Sequence, residues 1–274
     1  MSFPLSPCLR PVIVTRLRAA GCVFAEDEAD LLISTAPTPS DLTAMVDRRV
    51  AGLPLEHVLG WAEFCGLRIA VDPGVFVPRR RTEFLIRQAV AVQDPQAPVR
   101  TRVVVDLCCG SGAVGAALVA ALERVELHAV DIDPAAVRCA RRNVAAIGGQ
   151  VYGGDLYAPL PGTLRGRVDL LVASAPYVPT EAIGLLPPEA RIHEPRVALD
   201  GGEDGLDVVR RLAAAAPLWL APDGHLLVET SERQAPRTVE AFTRNGLIPR
   251  VTGSDELDAT VVIGTRPTSR SPSR

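Results

Sequence analysis

The chain has 274 residues, of which 47% are hydrophobic and 22% charged, as is usual for a globular protein with a sizeable core. Its formal net charge of -3 provides no basic excess, so direct nucleic-acid binding is not expected, and a small molecule or a protein is favoured as partner. No signal segment opens the sequence, and no apolar run approaches the roughly 20 residues of a membrane span. We therefore expect a cytoplasmic protein without a membrane anchor, and predict a monomer.

The cysteine and histidine pattern argues against a metal site. None of the six cysteines forms a C-x-x-C pair, and the four histidines show no zinc spacing. The cysteines are therefore expected to be buried free thiols in a reducing cytoplasm, and no metal is predicted.

The first part of the chain predicts a small helical domain over residues 1–60. The segments "PVIVTRLRAAG", "AEDEADLLISTA" and "LTAMVDRRVAG" have apolar residues at helical spacing, and Asp41 is expected to cap the third helix. The following "EFCGLRIAVDPGVFVPR" predicts a β-hairpin that turns at Asp72-Pro73-Gly74. We assign residues 61–78 to this hairpin linker.

Residues 79–266 predict one α/β domain. After the helical segment "TEFLIRQAVAV", seven strand candidates follow, most of them separated by helices, which indicates a parallel sheet covered on both faces. The last two strands, "LIPRVTG" and "ATVVIGT", are expected to pair antiparallel at one edge. Residues 267–274 are rich in Pro, Ser and Arg and predict a disordered tail.

A glycine-rich turn follows the first strand of this domain. Gly110, Gly112 and Gly115 match the G-x-G-x-x-G pattern, and Asp131 ends the next strand about 20 residues on, where it can hold ribose hydroxyls. This pattern alone does not separate a nicotinamide cofactor from S-adenosylmethionine.

Two further acids favour S-adenosylmethionine. Asp106 precedes the glycines, where a carboxylate repels a pyrophosphate but suits the ammonium group of a methionine moiety. Asp155, with Leu156, follows the third strand, where an acid beside an apolar residue can accept from an adenine amino group and pack on its ring. Three acids after three successive strands therefore predict one binding crevice.

The fourth strand ends in "SAPY", residues 174–177. The Ser174 hydroxyl and the Ala175 carbonyl are candidate acceptors for the two N–H bonds of an amide, whose delocalised lone pair makes it a poor nucleophile without such orientation. Pro176 stiffens the turn, and Tyr177 offers an aromatic wall.

Several motifs in order carry a family resemblance: "VFVPRRRTEFL", "VVDLCCGSGAVG", "VDIDPAAVRCARRN", "GDLYAPL", "SAPYVP" and "EPRVALDGGEDGLDVVRRL". Over roughly residues 10 to 266, the chain resembles the S-adenosylmethionine-dependent methyltransferases that modify a glutamine side-chain amide of peptide-chain release factors. The resemblance implies a class I, Rossmann-like methyltransferase domain, and an N-terminal domain that docks the protein substrate.

The resemblance also implies the site residues. Cofactor contacts are expected from Asp106, Cys108, Gly110, Ser111, Gly112, Asp131, Ile132, Asp155, Leu156 and Ser174. The catalytic turn is Ser174, Ala175, Pro176 and Tyr177. Substrate contacts are expected from Ser174, Ala175, Tyr177 and Arg79.

The chain departs from the family pattern at the catalytic turn. The family usually has Asn-Pro-Pro-Tyr, whereas this chain has Ser174 and Ala175 in the first two positions, and Cys108 stands where a loop glycine is expected. Three functions therefore stay open: methylation of a protein glutamine amide, which leads; amino methylation of a nucleobase or small molecule; and donor binding without transfer.

Overall fold

A computed structural model describes residues 9–93 and 100–268; the predicted tail falls outside them from residue 269 onward. The chain begins with helices α1 (Leu9–Ala19), α2 (Ala25–Thr35), α3 (Pro39–Val50) and α4 (Leu55–Leu59). Their apolar faces form one core, with Leu17 and Leu32 fully buried. The helical prediction for this region is confirmed.

The predicted cap of α3 is wrong. The helix begins at Pro39, and the Thr38 hydroxyl oxygen accepts a hydrogen bond from the Asp41 N–H at 3.1 Å. Asp41 lies inside the first turn, where its carboxylate accepts from the Thr38 hydroxyl at 2.6 Å. The reason is that Pro suits the first helical position, so the residue before it becomes the cap.

The predicted hairpin exists, but it turns elsewhere. Strands β1 (Trp61–Phe64) and β2 (Leu67–Ala70) are joined by Cys65 and Gly66, whose φ values of +50° and +74° are typical of a type I′ turn. Asp72-Pro73-Gly74 forms a separate turn after β2, closed by a 3.0 Å bond from the Val75 N–H to the Asp72 carbonyl. Cys65 is exposed at this turn, contrary to the expectation of buried thiols.

The α/β domain contains a seven-stranded sheet within the described residues, as predicted. Its strands are β3 (Arg102–Leu107), β4 (Val125–Asp131), β5 (Gln150–Gly153), β6 (Val168–Ala173), β7 (Leu220–Thr230), β8 (Ile248–Ser254) and β9 (Ala259–Thr265), in the order β5-β4-β3-β6-β7-β9-β8. Strands β3 to β7 run parallel, and β9 pairs antiparallel with both β7 and β8.

Helices cover both faces of this sheet: α5 (Glu83–Ala91), α6 (Ala113–Ala121), α7 (Pro134–Val144), α9 (Asp207–Trp219) and α10 (Ala235–Arg244). The short helix α8 (Pro188–His193) lies in the connection between β6 and α9 and has no buried residue. Every residue of β6 is buried, with Leu170 and Val172 in the core on one face, and Leu171 and Ala173 in the core on the other. No described helix is long and apolar enough to cross a membrane.

The strand order determines where a ligand can bind. From β3 the sheet is extended on one side by β4 and β5 and on the other by β6 and β7, so the chain changes direction between β3 and β6. Open α/β sheets bind ligands outside the carboxyl ends of the strands at such a switch point.

Candidate functional site

A cavity of about 640 Å³ lies at the carboxyl ends of β3 to β6. This volume is within the range of small-molecule sites. The predicted residues that line it are Cys108, Gly110, Ser111, Asp131, Ile132, Asp155, Leu156, Ser174 and Pro176. Residues predicted from separate strand ends are thus brought together around one space.

The glycine-rich loop is fixed to the end of β4. The Gly110 N–H donates to Asp131 Oδ2 at 2.8 Å, and the Asp133 N–H donates to Asp131 Oδ1 at 2.9 Å. Gly112 has φ +78°, and a Cβ there would lie 3.2 Å from the Ala140 Cβ, so the loop packs tightly on α7. Burial raises the pKa of Asp131 in spite of these bonds.

Cys108 adopts the left-handed conformation that the expected glycine favours, with φ +58°. Burial raises the pKa of its thiol, with the charge of Asp131 acting in the same direction. A protonated thiol in this position is a poor nucleophile, so Cys108 contributes shape to the cavity rather than reactivity.

Asp106 lies behind the loop and is not among the residues that line the cavity. Its Oδ2 accepts from the Gly115 N–H at 2.9 Å, while its buried Oδ1 has no partner among the described residues. Burial raises the pKa of this carboxyl to about 7. An unpartnered buried carboxylate oxygen beneath the loop fits a cationic ligand group, and its contact with that group stays a prediction.

The end of β5 supplies the opposite wall of the cavity. Leu156 is buried there with φ +47°, and Asp155 forms an ion pair with Arg211 of α9. This apolar side chain and this acid stand together as predicted, and their contact with an adenine ring stays a prediction.

The SAPY turn separates the cavity from a second space, a groove of about 990 Å³. Ser174 lines both spaces, Pro176 lines only the cavity, and Ala175 and Tyr177 line only the groove. The groove extends to the connection between α1 and α2, at Val23 and Phe24. Ser174 therefore lies where the cavity meets the groove.

Glu229, at the end of β7, is a site residue that the sequence reasoning missed. This buried carboxylate accepts from the Thr82 hydroxyl at 2.7 Å and from the Ser174 hydroxyl at 3.4 Å, both at Oε2. Arg81 Nε lies 3.2 Å from Oε1, and its guanidinium carbon lies 5.7 Å from the centre of the Tyr177 ring. The signal was an acid in "LLVET", at the strand end next to β6.

Arg79 lines the groove beside a second missed acid, Glu194. Arg79 donates to Glu194 Oε1, which also accepts from the Val77 N–H at 3.3 Å. Glu194 Oε2 is buried and has no partner in the part of the chain described, and burial raises the pKa of the carboxyl. An unpartnered acceptor is thus present in the groove wall.

The chain after the SAPY turn is held by the segment 199–205. The Gly201 N–H donates to the Val178 carbonyl at 2.9 Å, and Gln234 Nε2 donates to the Tyr177 carbonyl at 2.9 Å. Gly205 has φ +78° and packs against this same Tyr177 carbonyl. The chain after the turn is therefore held by one backbone and one side-chain hydrogen bond.

Comparisons with known proteins agree with this architecture. The profile of the methyltransferase small domain matches residues 66–184. The release factor glutamine methyltransferase of Mycolicibacterium smegmatis is 41% identical over 235 residues, covering 84% of this chain and 82% of that protein. The 4-amino-L-phenylalanine/4-methylamino-L-phenylalanine methyltransferase of Streptomyces pristinaespiralis is 36% identical over 237 residues, covering 85% and 80%.

Among solved structures, a methyltransferase from Pyrococcus furiosus superposes with a TM-score of 0.53 at 16% identity, covering 83% of this chain and 99% of that one. At this identity the match supports the fold alone.

A parallel sheet with an antiparallel edge pair and a cavity at its switch point is the architecture of class I methyltransferases, for which S-adenosyl-L-methionine is the methyl donor. The sequence identity carries the assignment further: the chain belongs to the release factor glutamine methyltransferase family. The predicted fold, enzyme class and donor are confirmed.

Proposed function

We propose that this protein methylates the side-chain amide nitrogen of a glutamine in a protein substrate, and that a peptide-chain release factor is the first substrate to test. The observation that carries this proposal is the position of Ser174 between the cavity and the groove. A donor in the cavity and a side chain reaching through the groove meet at this residue. The names of the relatives suggest the release factor.

The cavity residues are arranged to hold S-adenosylmethionine. The loop from Cys108 to Ser111 receives the methionine end, Asp131 and Ile132 the ribose, and Asp155 with Leu156 the adenine. The bound donor supplies an electrophilic methyl carbon on a sulfonium centre. The protein holds the acceptor nitrogen on the other side of the SAPY turn, in line with that carbon. As the C–N bond forms, the C–S bond breaks and S-adenosylhomocysteine leaves, and the nitrogen then releases one of its two protons to water.

The acceptor side offers hydrogen-bond acceptors for an amide. The Ala175 carbonyl and the Ser174 hydroxyl oxygen accept from the two N–H bonds, which orients the nitrogen lone pair towards the donor. Tyr177, held beneath Arg81, forms the aromatic wall of the groove. The groove, of about 990 Å³, extends from Tyr177 to Phe24, which suits an acceptor carried on a polypeptide.

A second function is amino methylation of a small aromatic amine. Two observations favour it: Ser174 replaces the usual asparagine, and one relative of comparable coverage is an amino-phenylalanine methyltransferase. The lone pair of an amine nitrogen is less delocalised than that of an amide nitrogen. The amine therefore depends less on two hydrogen-bond acceptors to orient it.

The domain assignments remain proposals: residues 1–60 dock the protein substrate, 61–78 link the domains, and 79–266 perform the transfer. The lining of the groove by both Phe24 and Tyr177 supports joint docking. A monomer without direct nucleic-acid binding also stays a prediction.

The test is transfer of labelled methyl from S-adenosylmethionine to purified release factors. We expect label on one glutamine, located by mass spectrometry and lost when that glutamine is replaced by glutamate. Donor binding by calorimetry without label on any release factor contradicts the proposed substrate.

A further inference from the structure

We propose that Glu229 is a positioning residue that fixes the direction of the Ser174 hydroxyl, and that it thereby compensates for the missing asparagine of the SAPY turn. The inference rests on the proposed function, because it concerns the acceptor N–H bonds of that reaction.

The need for such a residue follows from the chemistry of serine. An asparagine carbonyl oxygen only accepts hydrogen bonds, whereas a serine hydroxyl has one proton to donate and two lone pairs to accept. If the Ser174 hydroxyl donated to the acceptor nitrogen, it would bind the lone pair that must attack the methyl carbon. The proton of Ser174 therefore has to point elsewhere during transfer.

Glu229 provides that other direction. A carboxylate has no proton to give, so in the contact between Ser174 Oγ and Glu229 Oε2 the serine must be the donor. The remaining lone pairs of Oγ then face away from Glu229, on the side where Ser174 lines the cavity and the groove. The 3.4 Å separation is long, and contacts of this kind shorten when substrates bind.

Glu229 is itself held in place. Thr82 donates to the same Oε2 at 2.7 Å, and Arg81 Nε lies 3.2 Å from Oε1. Only 4% of the Glu229 side chain is exposed, and the Arg81 guanidinium balances its charge. This arrangement gives Ser174 a fixed acceptor that solvent does not replace.

A double-mutant comparison with wild type, Glu229→Gln, Ser174→Ala and the double variant tests the proposal. The assay uses the acceptor that the wild type methylates, either a release factor or 4-amino-L-phenylalanine. We expect Glu229→Gln to lower kcat about tenfold to a hundredfold with Ser174 present, because misdirected groups lose rates of this order. In the Ser174→Ala background, the same change should alter kcat less than about twofold, since no hydroxyl is left to direct. The exposed Glu232→Gln is the matched control.

A merely structural role predicts a different result, namely the same loss of kcat in both backgrounds. That result overturns the proposal, as does full activity of Glu229→Gln. A single cooperative thermal unfolding transition in every variant shows that the variants fold.

A crystal structure with S-adenosylhomocysteine bound decides the geometry even if neither acceptor is methylated, an outcome that would contradict the proposed function alone. The proposal expects Ser174 Oγ within about 3 Å of Glu229, the usual hydroxyl–carboxylate distance. A Ser174 rotamer turned away from Glu229 contradicts it.

Discussion

The replacement of Gly205 by alanine tests how the SAPY turn is held. A Cβ at this buried glycine would overlap the Tyr177 carbonyl oxygen and the Gln234 side-chain amide. These two groups form the 2.9 Å hydrogen bond that fixes the chain after the turn. The substitution must therefore move either the turn or α10.

Gly246 provides a matched control. Its φ of +77° is almost that of Gly205, +78°, but a Cβ at Gly246 meets no described heavy atom within 4 Å. Gly246→Ala therefore measures the backbone strain alone, which is about 1 kcal/mol once the lower entropy of the unfolded alanine chain is included. Gly205→Ala adds overpacking of about 1–3 kcal/mol and the loss of a hydrogen bond of about 1 kcal/mol.

We expect the two variants to differ by about 2–4 kcal/mol in the free energy of unfolding, measured by urea denaturation. Methyl transfer should fall about a hundredfold in Gly205→Ala, because the acceptor turn shifts, and should change little in Gly246→Ala. Equal stability and equal activity of the two variants would refute the packing argument.

Three further predictions concern stability. Cys108→Gly should stabilise the protein by up to about 1 kcal/mol in thermal unfolding, because it removes a left-handed non-glycine residue; destabilisation would show that the thiol packing matters more. The pKa of Asp106 is raised from 3.8 to about 7. Asp106 should therefore contribute to the free energy of unfolding of the ligand-free protein, and this contribution should be complete below about pH 4 and lost as the pH rises through about 7. The loss is at most about 4 kcal/mol, and Asp106→Asn should remove this pH dependence from urea unfolding; an unchanged pH profile would contradict it. Arg49→Ala should lower the free energy of urea unfolding by about 3 kcal/mol or more, because it leaves the Glu28 carboxylate, whose side chain is 11% exposed, without its partner. The control is the exposed Arg16–Asp47 pair, whose disruption should lower this free energy by less than about 1 kcal/mol.

The fold was largely predictable because its strands are short apolar runs that alternate with helices of clear period. The hairpin error occurs where a local signal competes with strand pairing. Asp72-Pro73-Gly74 has strong turn residues, yet the register Trp61 to Ala70 places the hairpin turn at Cys65-Gly66. Short elements such as α8 carry too few residues for periodicity to show.

Asp131 at the end of β4 and Asp155 after β5 were predictable as cavity residues, because parallel strands bring their carboxyl ends together. Glu229 and Glu194 were not, because their partners are distant in sequence: Thr82 is 147 residues from Glu229, and Arg79 is 115 residues from Glu194. The burial of Asp106 behind the loop depends on the path of the loop, which glycine spacing does not specify.

The proposed function requires the groove to present a protein glutamine to Ser174. The most direct measurement compares kcat/KM for a release factor and for 4-amino-L-phenylalanine under identical donor concentrations. The proposed function predicts that the release factor is preferred by at least about a hundredfold, which corresponds to about 2.7 kcal/mol of transition-state binding. A preference for the amino acid, or methylation of the amino acid alone, would contradict it.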